Sequence, residues 1–152
     1  MNRIDGKVAV ITGGTQGLGA AIANLFAEAG ALGIVIVGRD QKKGETVASE
    51  ISKAYGIQAK MITADLEKIE DVQCIIGETD NIFGRVDILV NSAGLTDRGN
   101  ILDTNPDLFN RMIAVNTRAP FFLIQDAAKI MIRENIEGRI VNIGSMSEQA
   151  GQ

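Results

Sequence analysis

The stretch Val8-Ala9-Val10-Ile11-Thr12-Gly13-Gly14-Thr15-Gln16-Gly17-Leu18-Gly19-Ala20-Ala21-Ile22 decides how this chain is to be read. Its first four residues are apolar and largely β-branched, too short a run for an amphipathic helix, and glycines follow. That is the pattern of a strand buried on both faces. From Leu18 the period changes: Leu18, Ile22, Leu25, Phe26 and Ala29 recur at helical spacing, and Gly30 supplies a stop. The unit is strand, glycine loop, helix. A helix N-terminus offers unpaired N–H groups and a partial positive charge, and glycines let a phosphate approach the backbone. The expected ligand is therefore an anionic phosphate. The alternative is a tight connection whose glycines serve packing alone.

Working outward, the same alternation repeats. Gly33 to Gly38 is a second β-branched run, followed by Arg39-Asp40 and a segment over 41–55 with Val47, Ile51, Ala54 and Tyr55 at helical spacing. Ile57 to Thr63 reads as a third strand ending at Ala64-Asp65-Leu66. A helix is expected over about 68–83, striped by Ile69, Val72, Ile76, Thr79 and Phe83, with the lone Cys74 inside the core pattern. Val86 to Val90 is a fourth strand running into Asn91-Ser92-Ala93-Gly94, and Asn105-Pro106-Asp107 is a helix start. The helical pattern over 107–134 contains Pro120, which cannot donate to the carbonyl of Asn116 four residues back. Arg139 to Gly144 is a fifth strand, ending at Ser145.

Strands alternating with helices predict an α/β fold: a parallel sheet wound on both faces, formed by residues 1–152 as one domain. The distinctive residues, Thr12 to Gly19, Arg39, Asp65, Asn91 to Gly94 and Ser145, all fall at carboxyl ends of strands. Open α/β sheets bind ligands there.

Composition narrows the chemistry. A hydrophobic fraction of 45% with 22% charged residues fits a globular chain, and a net charge of −4 without a basic run argues against nucleic acid. No apolar run approaches a membrane span, no signal-peptide core is visible, and a single cysteine fits a reducing compartment. The expectation is a cytoplasmic protein with no membrane partner. The chain has no histidine, which removes Ser-His-Asp and Cys-His nucleophile pairs and every histidine-based metal site, so no metal is expected.

The spacing of Thr12-Gly13, Gly17 and Gly19 departs from G-x-G-x-x-G and matches T-G-x-x-x-G-x-G. With Asn91-Ser92-Ala93-Gly94 fitting N-x-A-G, the chain resembles the short-chain dehydrogenase/reductase family over its whole length, including that family's 3-oxoacyl thioester reductases. The resemblance implies a Rossmann sheet of strand order 3-2-1-4-5, with later strands beyond Gln152. It assigns Gly13, Thr15, Gln16, Gly17, Leu18, Gly19, Arg39, Asp65, Leu66, Asn91, Ala93 and Gly94 to cofactor binding. Asp65 would sit beside the adenine, or cap the following helix, or both. An arginine at the second strand's tip offers a fork to a 2′-phosphate, which favours NADP(H) over NAD(H). Asp40 could bring a carboxylate into the same space.

The resemblance also implies that Ser145, with Ser147 as a substitute, orients the substrate oxygen, and that Asn116 lends its main-chain carbonyl to a water in a proton relay. The Pro120 argument reaches the same carbonyl independently. The family's acid/base pair, Tyr-x-x-x-Lys, falls past Gln152, and the only tyrosine, Tyr55, has Ala59 four residues on. The expectation is a longer polypeptide: an oxidoreductase moving a hydride between nicotinamide and a small alcohol or carbonyl, homotetrameric or homodimeric through its long helix. The 152 residues as they stand would lack turnover. The alternative is a non-catalytic dinucleotide-binding module.

Overall fold

A computed structural model describes residues 3–97 and 99–145. The chain runs β1 (Val8–Thr12), α1 (Gly17–Glu28), β2 (Gly33–Gly38), α2 (Gln41–Tyr55), β3 (Gln58–Thr63), α3 (Ile69–Phe83), β4 (Ile88–Asn91), α4 (Pro106–Ile113), a π-helical turn (Ala114–Arg118), α5 (Ala119–Arg133) and β5 (Arg139–Asn142). All four strand pairings are parallel, and the order is β3-β2-β1-β4-β5. This is the doubly wound arrangement expected from the alternation.

The period-two alternation of strand side chains divides the core into two layers. Val10, Val35, Val37 and Leu89 pack with Val72, Ile75 and Ile76 of α3 and with Ala119, Leu123, Ala127 and Met131 of α5. Ala9, Ile11, Ile34, Ile36, Ile88 and Val90 point the other way, onto Ala23 and Ala27 of α1 and Ala48 and Ile51 of α2. Every residue of β1 is buried. Each Val or Ile taken fully out of water contributes about 1.5–3 kcal/mol, so the central strands are continuous apolar runs. By contrast β5 is exposed along its length, with Ile140, Val141 and Ile143 on the open side of the sheet.

Several details differ from the sequence expectation. The buried face of α1 is Gly19, Ala23 and Ala27, while Leu18 and Leu25 are more than half exposed. Small residues spaced by four let this helix lie close to the sheet, with Ile22 and Phe26 packed at the sides of the contact and Leu18 and Leu25 facing outward. On α3 the buried stripe is Val72, Ile75, Ile76 and Thr79, which leaves Cys74 exposed rather than in the core. Ala54 and Tyr55 are likewise exposed at the end of α2.

The single helix expected over 107–134 is in three parts. Pro120 has no N–H and its ring crowds the carbonyl four residues back. The ladder widens in response: the Ala119 N–H donates to the Ala114 carbonyl, five residues back, across the π-helical turn. Before this turn α4 has no buried residue; after it α5 has four. Among the described residues no helix is long and apolar enough to cross a membrane.

Candidate dinucleotide site

The carboxyl ends of β1, β2, β3 and β4 open into one cleft of about 360 Å³, at the point where the strand order reverses between β1 and β4. Gly13, Thr15, Gln16, Gly17, Leu18 and Gly19 form one wall; Arg39, Asp65, Leu66, Ala93 and Gly94 line it as well. These eleven of the fourteen candidate residues come from four separate connections, brought together by the sheet.

The first connection is shaped by its glycines. Gly17 has φ +55° with nothing within 4 Å of where a Cβ would stand, so it accepts the left-handed conformation and leaves its space open. At Gly19 a Cβ would overlap the Gly13 carbonyl, with 2.7 Å to its carbon and 3.0 Å to Gly14 Cα. The start of α1 therefore lies directly on the loop. No side chain caps this helix, and its first turn holds no acid. The contrast is with α2 and α4, where Asp40 and Asn105 accept from the N–H groups of Lys43 and Leu108 at 3.0 and 2.9 Å. The orphan N–H groups and positive end of α1 face the cleft without an internal anion.

Thr12 joins this loop to β4. Its hydroxyl, on a residue only 1% exposed, accepts from the Ser92 and Ala93 N–H groups at 3.1 and 3.2 Å. The strand end Ser92-Ala93-Gly94 is thus held against the glycine loop.

At the tip of β2, Arg39 is exposed and lines the cleft. Asp40 is occupied as the cap of α2, and its other carboxylate oxygen lies 3.9 Å from Lys43 Nζ. That same ammonium donates to Gln16 Oε1 at 3.4 Å. Lys43 is therefore a second cation beside the glycine loop. In sequence, its position in the first turn of a helix capped by Asp40 is the available signal.

After β3, Asp65 does not cap α3, whose N-cap residue is Lys68. Its Oδ1 accepts from the Glu67 N–H (3.1 Å), and its own N–H donates to Asp71 (2.8 Å). Leu66 is 8% exposed and packs into the core beneath the cleft. Glu67, which the sequence reading passed over, also lines the cleft. Its carboxyl accepts both Nε and Nη2 of Arg111, which holds it below the ordinary carboxylate range, with Arg39 adding a weaker pull.

The remaining three candidates lie outside the cleft lining. Asn91 is 4% exposed at the end of β4, where its Nδ2 donates to Asn142 Oδ1 of β5 (2.8 Å). Asn116 sits in the π-helical turn. Its side chain clamps Leu95, a cleft residue, by accepting from the Leu95 N–H (2.8 Å) and donating to the Leu95 carbonyl (2.7 Å). Ser145 is exposed beyond the end of β5, and Ser147 lies outside the described residues. Ser92, Leu95 and Val115 complete the nearby wall. Ser92 was within reach of sequence, being inside N-x-A-G; Val115 arrives only through the tertiary fold. Among the described residues no group of three or more His, Cys, Asp or Glu could hold a metal ion.

The family model described as short chain dehydrogenase matches residues 7–152. This chain belongs to that family. A short chain dehydrogenase/reductase of Gibberella zeae, dpfgG, is 36% identical over 150 residues, covering 97% of this chain and 54% of the relative. Among solved structures, a metagenomic short-chain oxidoreductase in complex with NADP superposes with TM-score 0.87 at 35% identity, over 95% of this chain and 64% of that one. A gluconate 5-dehydrogenase of Burkholderia cenocepacia, in complex with NADP and tartrate, gives TM-score 0.88 at 34% identity, over 99% and 58%. The short-chain dehydrogenase chain described here spans about half the length of the curated relatives it matches.

Proposed function

We propose that the protein is an NADP(H)-preferring oxidoreductase of small alcohols and carbonyl compounds. The observation that carries this is the uncapped N-terminus of α1 opening, with Gly17 at positive φ, into a cleft that also holds Arg39. The residues fit a dinucleotide. Orphan N–H groups of α1 would hold the pyrophosphate; Arg39, with Lys43 beside it, would hold a 2′-phosphate; Asp65 and Leu66 would flank the adenine; and the side-chain-poor Ala93-Gly94 edge would admit the nicotinamide ribose. When bound, the nicotinamide supplies or accepts the hydride.

The chain's own residues orient and gate that chemistry. Ser145 hydrogen-bonds the substrate oxygen. Asn116 has two roles: its side chain fixes Leu95 in the wall of the cleft, and its main-chain carbonyl, deprived of the N–H that Pro120 lacks, accepts from a relay water. The name of the gluconate 5-dehydrogenase and the NADP in two similar structures support this reading. Self-association through α4 and α5 is part of the proposal, supported by Phe109, Phe121 and Ile132, each more than half exposed. A cytoplasmic setting is supported by the single cysteine.

The test is calorimetric titration of the protein expressed from its complete reading frame, together with Arg39→Ala. NADPH should bind the unaltered protein more tightly than NADH, and Arg39→Ala should lose roughly tenfold or more for NADPH, the loss of one charge-assisted contact, with little change for NADH. Equal losses refute the role of Arg39. Tight NADPH binding with no oxidation across a panel of ketones and aldehydes refutes the oxidoreductase reading.

A further inference from the structure

Glu67 is the most heavily tethered residue of the loop between β3 and α3, and both of its external tethers come from one distant helix. Its N–H donates to Asp65 within the loop (3.1 Å). Its carbonyl accepts from Arg118 Nη2 at 2.7 Å, and its carboxylate accepts from Arg111 Nε and Nη2, each at 3.0 Å. Arg111 is in α4 and Arg118 closes the π-helical turn. The two arginines are seven residues apart with the π-helical turn between them, and both guanidinium groups reach the same partner. A second, smaller cleft is lined by Glu67, Asn110, Arg111, Ala114 and Arg118, and Glu67 thus forms part of both clefts.

The Arg118 contact is poorly explained by stability. Its Nε is buried with no hydrogen-bond partner among the described residues, and its Nη2 meets a neutral carbonyl rather than a carboxylate. A buried Nε left without a partner costs about 1–3 kcal/mol, which offsets what one bond to a neutral carbonyl returns. What the contact does achieve is geometric. Residues 64–68 belong to no strand or helix; two backbone bonds, from the Ala64 N–H to the Gly38 carbonyl (3.0 Å) and from the Lys68 N–H to the Asp65 carbonyl (2.9 Å), hold the ends of the loop, and the Glu67 residue between them is held by side chains, Asp65 at its N–H and Arg118 at its carbonyl. Asp65 and Leu66 line the main cleft.

We infer that Arg111 and Arg118 are positioning residues for the adenosine end of the cleft, acting through Glu67. They lock the Asp65-Leu66-Glu67 loop so that it presents one fixed surface to the bound nucleotide. This rests on the dinucleotide reading above. Because the two arginines belong to the same helical segment as Asn116, one piece of the chain grips both ends of the cleft: the 64–68 loop through Glu67, and the β4 loop through Leu95.

The probe is 2′,5′-ADP, which carries the adenosine half alone, titrated by calorimetry into the protein expressed from its complete reading frame. Arg118→Met and Arg111→Met should each raise the dissociation constant by roughly three- to thirtyfold, within the range of coupling between contacting residues. Arg118→Lys, which keeps a donor for the Glu67 carbonyl, should lie closer to the unaltered protein than Arg118→Met. Arg133→Met is the control: it breaks a bidentate ion pair between α5 and α3, to Asp80, outside the cleft, and should leave 2′,5′-ADP affinity unchanged. Unchanged binding in both arginine variants overturns the inference, as does an equal loss in Arg133→Met, which would mean general loosening of the helices. An unaltered protein that binds neither 2′,5′-ADP nor 5′-ADP overturns the dinucleotide reading itself, and this inference with it.

Discussion

The same substitution at two glycines, Gly19→Ala and Gly77→Ala, should have opposite effects. At Gly19 the new Cβ would stand 2.7 Å from the Gly13 carbonyl carbon and 3.0 Å from Gly14 Cα. Carbon atoms pack at about 3.5–4.0 Å, and both neighbours are backbone, so loop and helix must separate by about 1 Å. Overpacking of this kind costs about 1–3 kcal/mol. At Gly77, within α3, nothing lies within 4 Å of the new Cβ, and the residue is exposed. There, alanine lowers the entropy of the unfolded chain and should stabilise by about 0.4–1 kcal/mol. The consequences for binding diverge further. Moving the loop by 1 Å misaligns the N–H groups at the start of α1, and loss of one hydrogen bond to a charged group, about 1.5–3 kcal/mol, lowers affinity by roughly tenfold to a hundredfold. Urea denaturation followed by circular dichroism, and calorimetric titration with NADPH, measure both quantities on both variants. Gly19→Ala should lose stability and affinity; Gly77→Ala should gain stability and keep affinity. If the two variants behave alike on both measures, the contact of α1 with the glycine loop does not shape the phosphate site.

Buried and bridging polar groups carry three more expected outcomes. The Asp87 side chain is 1% exposed and accepts from the Val8 N–H (2.9 Å) and from Arg85 Nε and Nη2 (2.8 and 2.7 Å); Asp87→Ala should cost about 3 kcal/mol in urea denaturation at neutral pH, and a loss below about 1 kcal/mol would contradict the burial argument. Burial pushes this carboxyl up, but Arg85, the Val8 N–H and Lys7 outweigh it and hold it below the ordinary range. Its contribution is therefore full above the unfolded carboxylate value, about 3.9, and is lost as pH falls through the lower folded value; Asp87→Asn should flatten that acid limb, and parallel pH profiles for the two proteins would rule the linkage out. Asn116→Ala removes both bonds to Leu95 at an exposed position, so global stability should fall by only about 1 kcal/mol while amide exchange at Leu95 speeds up; unchanged exchange there would show that the clamp does not hold the loop.

What the sequence disclosed depends on how local the cause is. The buried strands were legible because apolar runs on both faces and glycine stops are local signals, and the order of the sheet came through the resemblance carried by Gly13, Gly17, Gly19 and N-x-A-G. The stripe expected for α1 holds in part: Ile22 and Phe26 pack against the core and Ala29 is buried, but Leu18 and Leu25 face out. Leu18, Leu25 and Ile22 outweigh Gly19, Ala23 and Ala27 in hydrophobicity, but close approach of backbone to sheet selects the small residues. Cys74 was misplaced for a similar reason, lying next to the buried arc of α3 rather than on it. Pro120 announced a disturbance at Asn116 without revealing that the ladder would be re-made five residues apart. Glu67, Arg111 and Arg118 were silent in sequence, because their meeting joins the β3–α3 loop to α4 and the π-helical turn across more than forty positions and leaves no periodic trace.

The π-helical turn at Ala114–Arg118 can be regarded as a phase slip in a wave. A helix that carries one residue too many for its pitch cannot keep the same side facing the same wall. Upstream of the slip α4 is free of the sheet; downstream, Ala119, Leu123, Ala127 and Met131 are in register with it. The angular setting of α4 is thereby decoupled from that of α5, and Arg111 is aimed at Glu67 without constraint from the core stripe. Removing the single residue Thr117 would bring the two halves back into step, rotating one against the other by about 100°, one residue's share of an α-helical turn. The grip on the β3–α3 loop and the packing of α5 could not then both be kept.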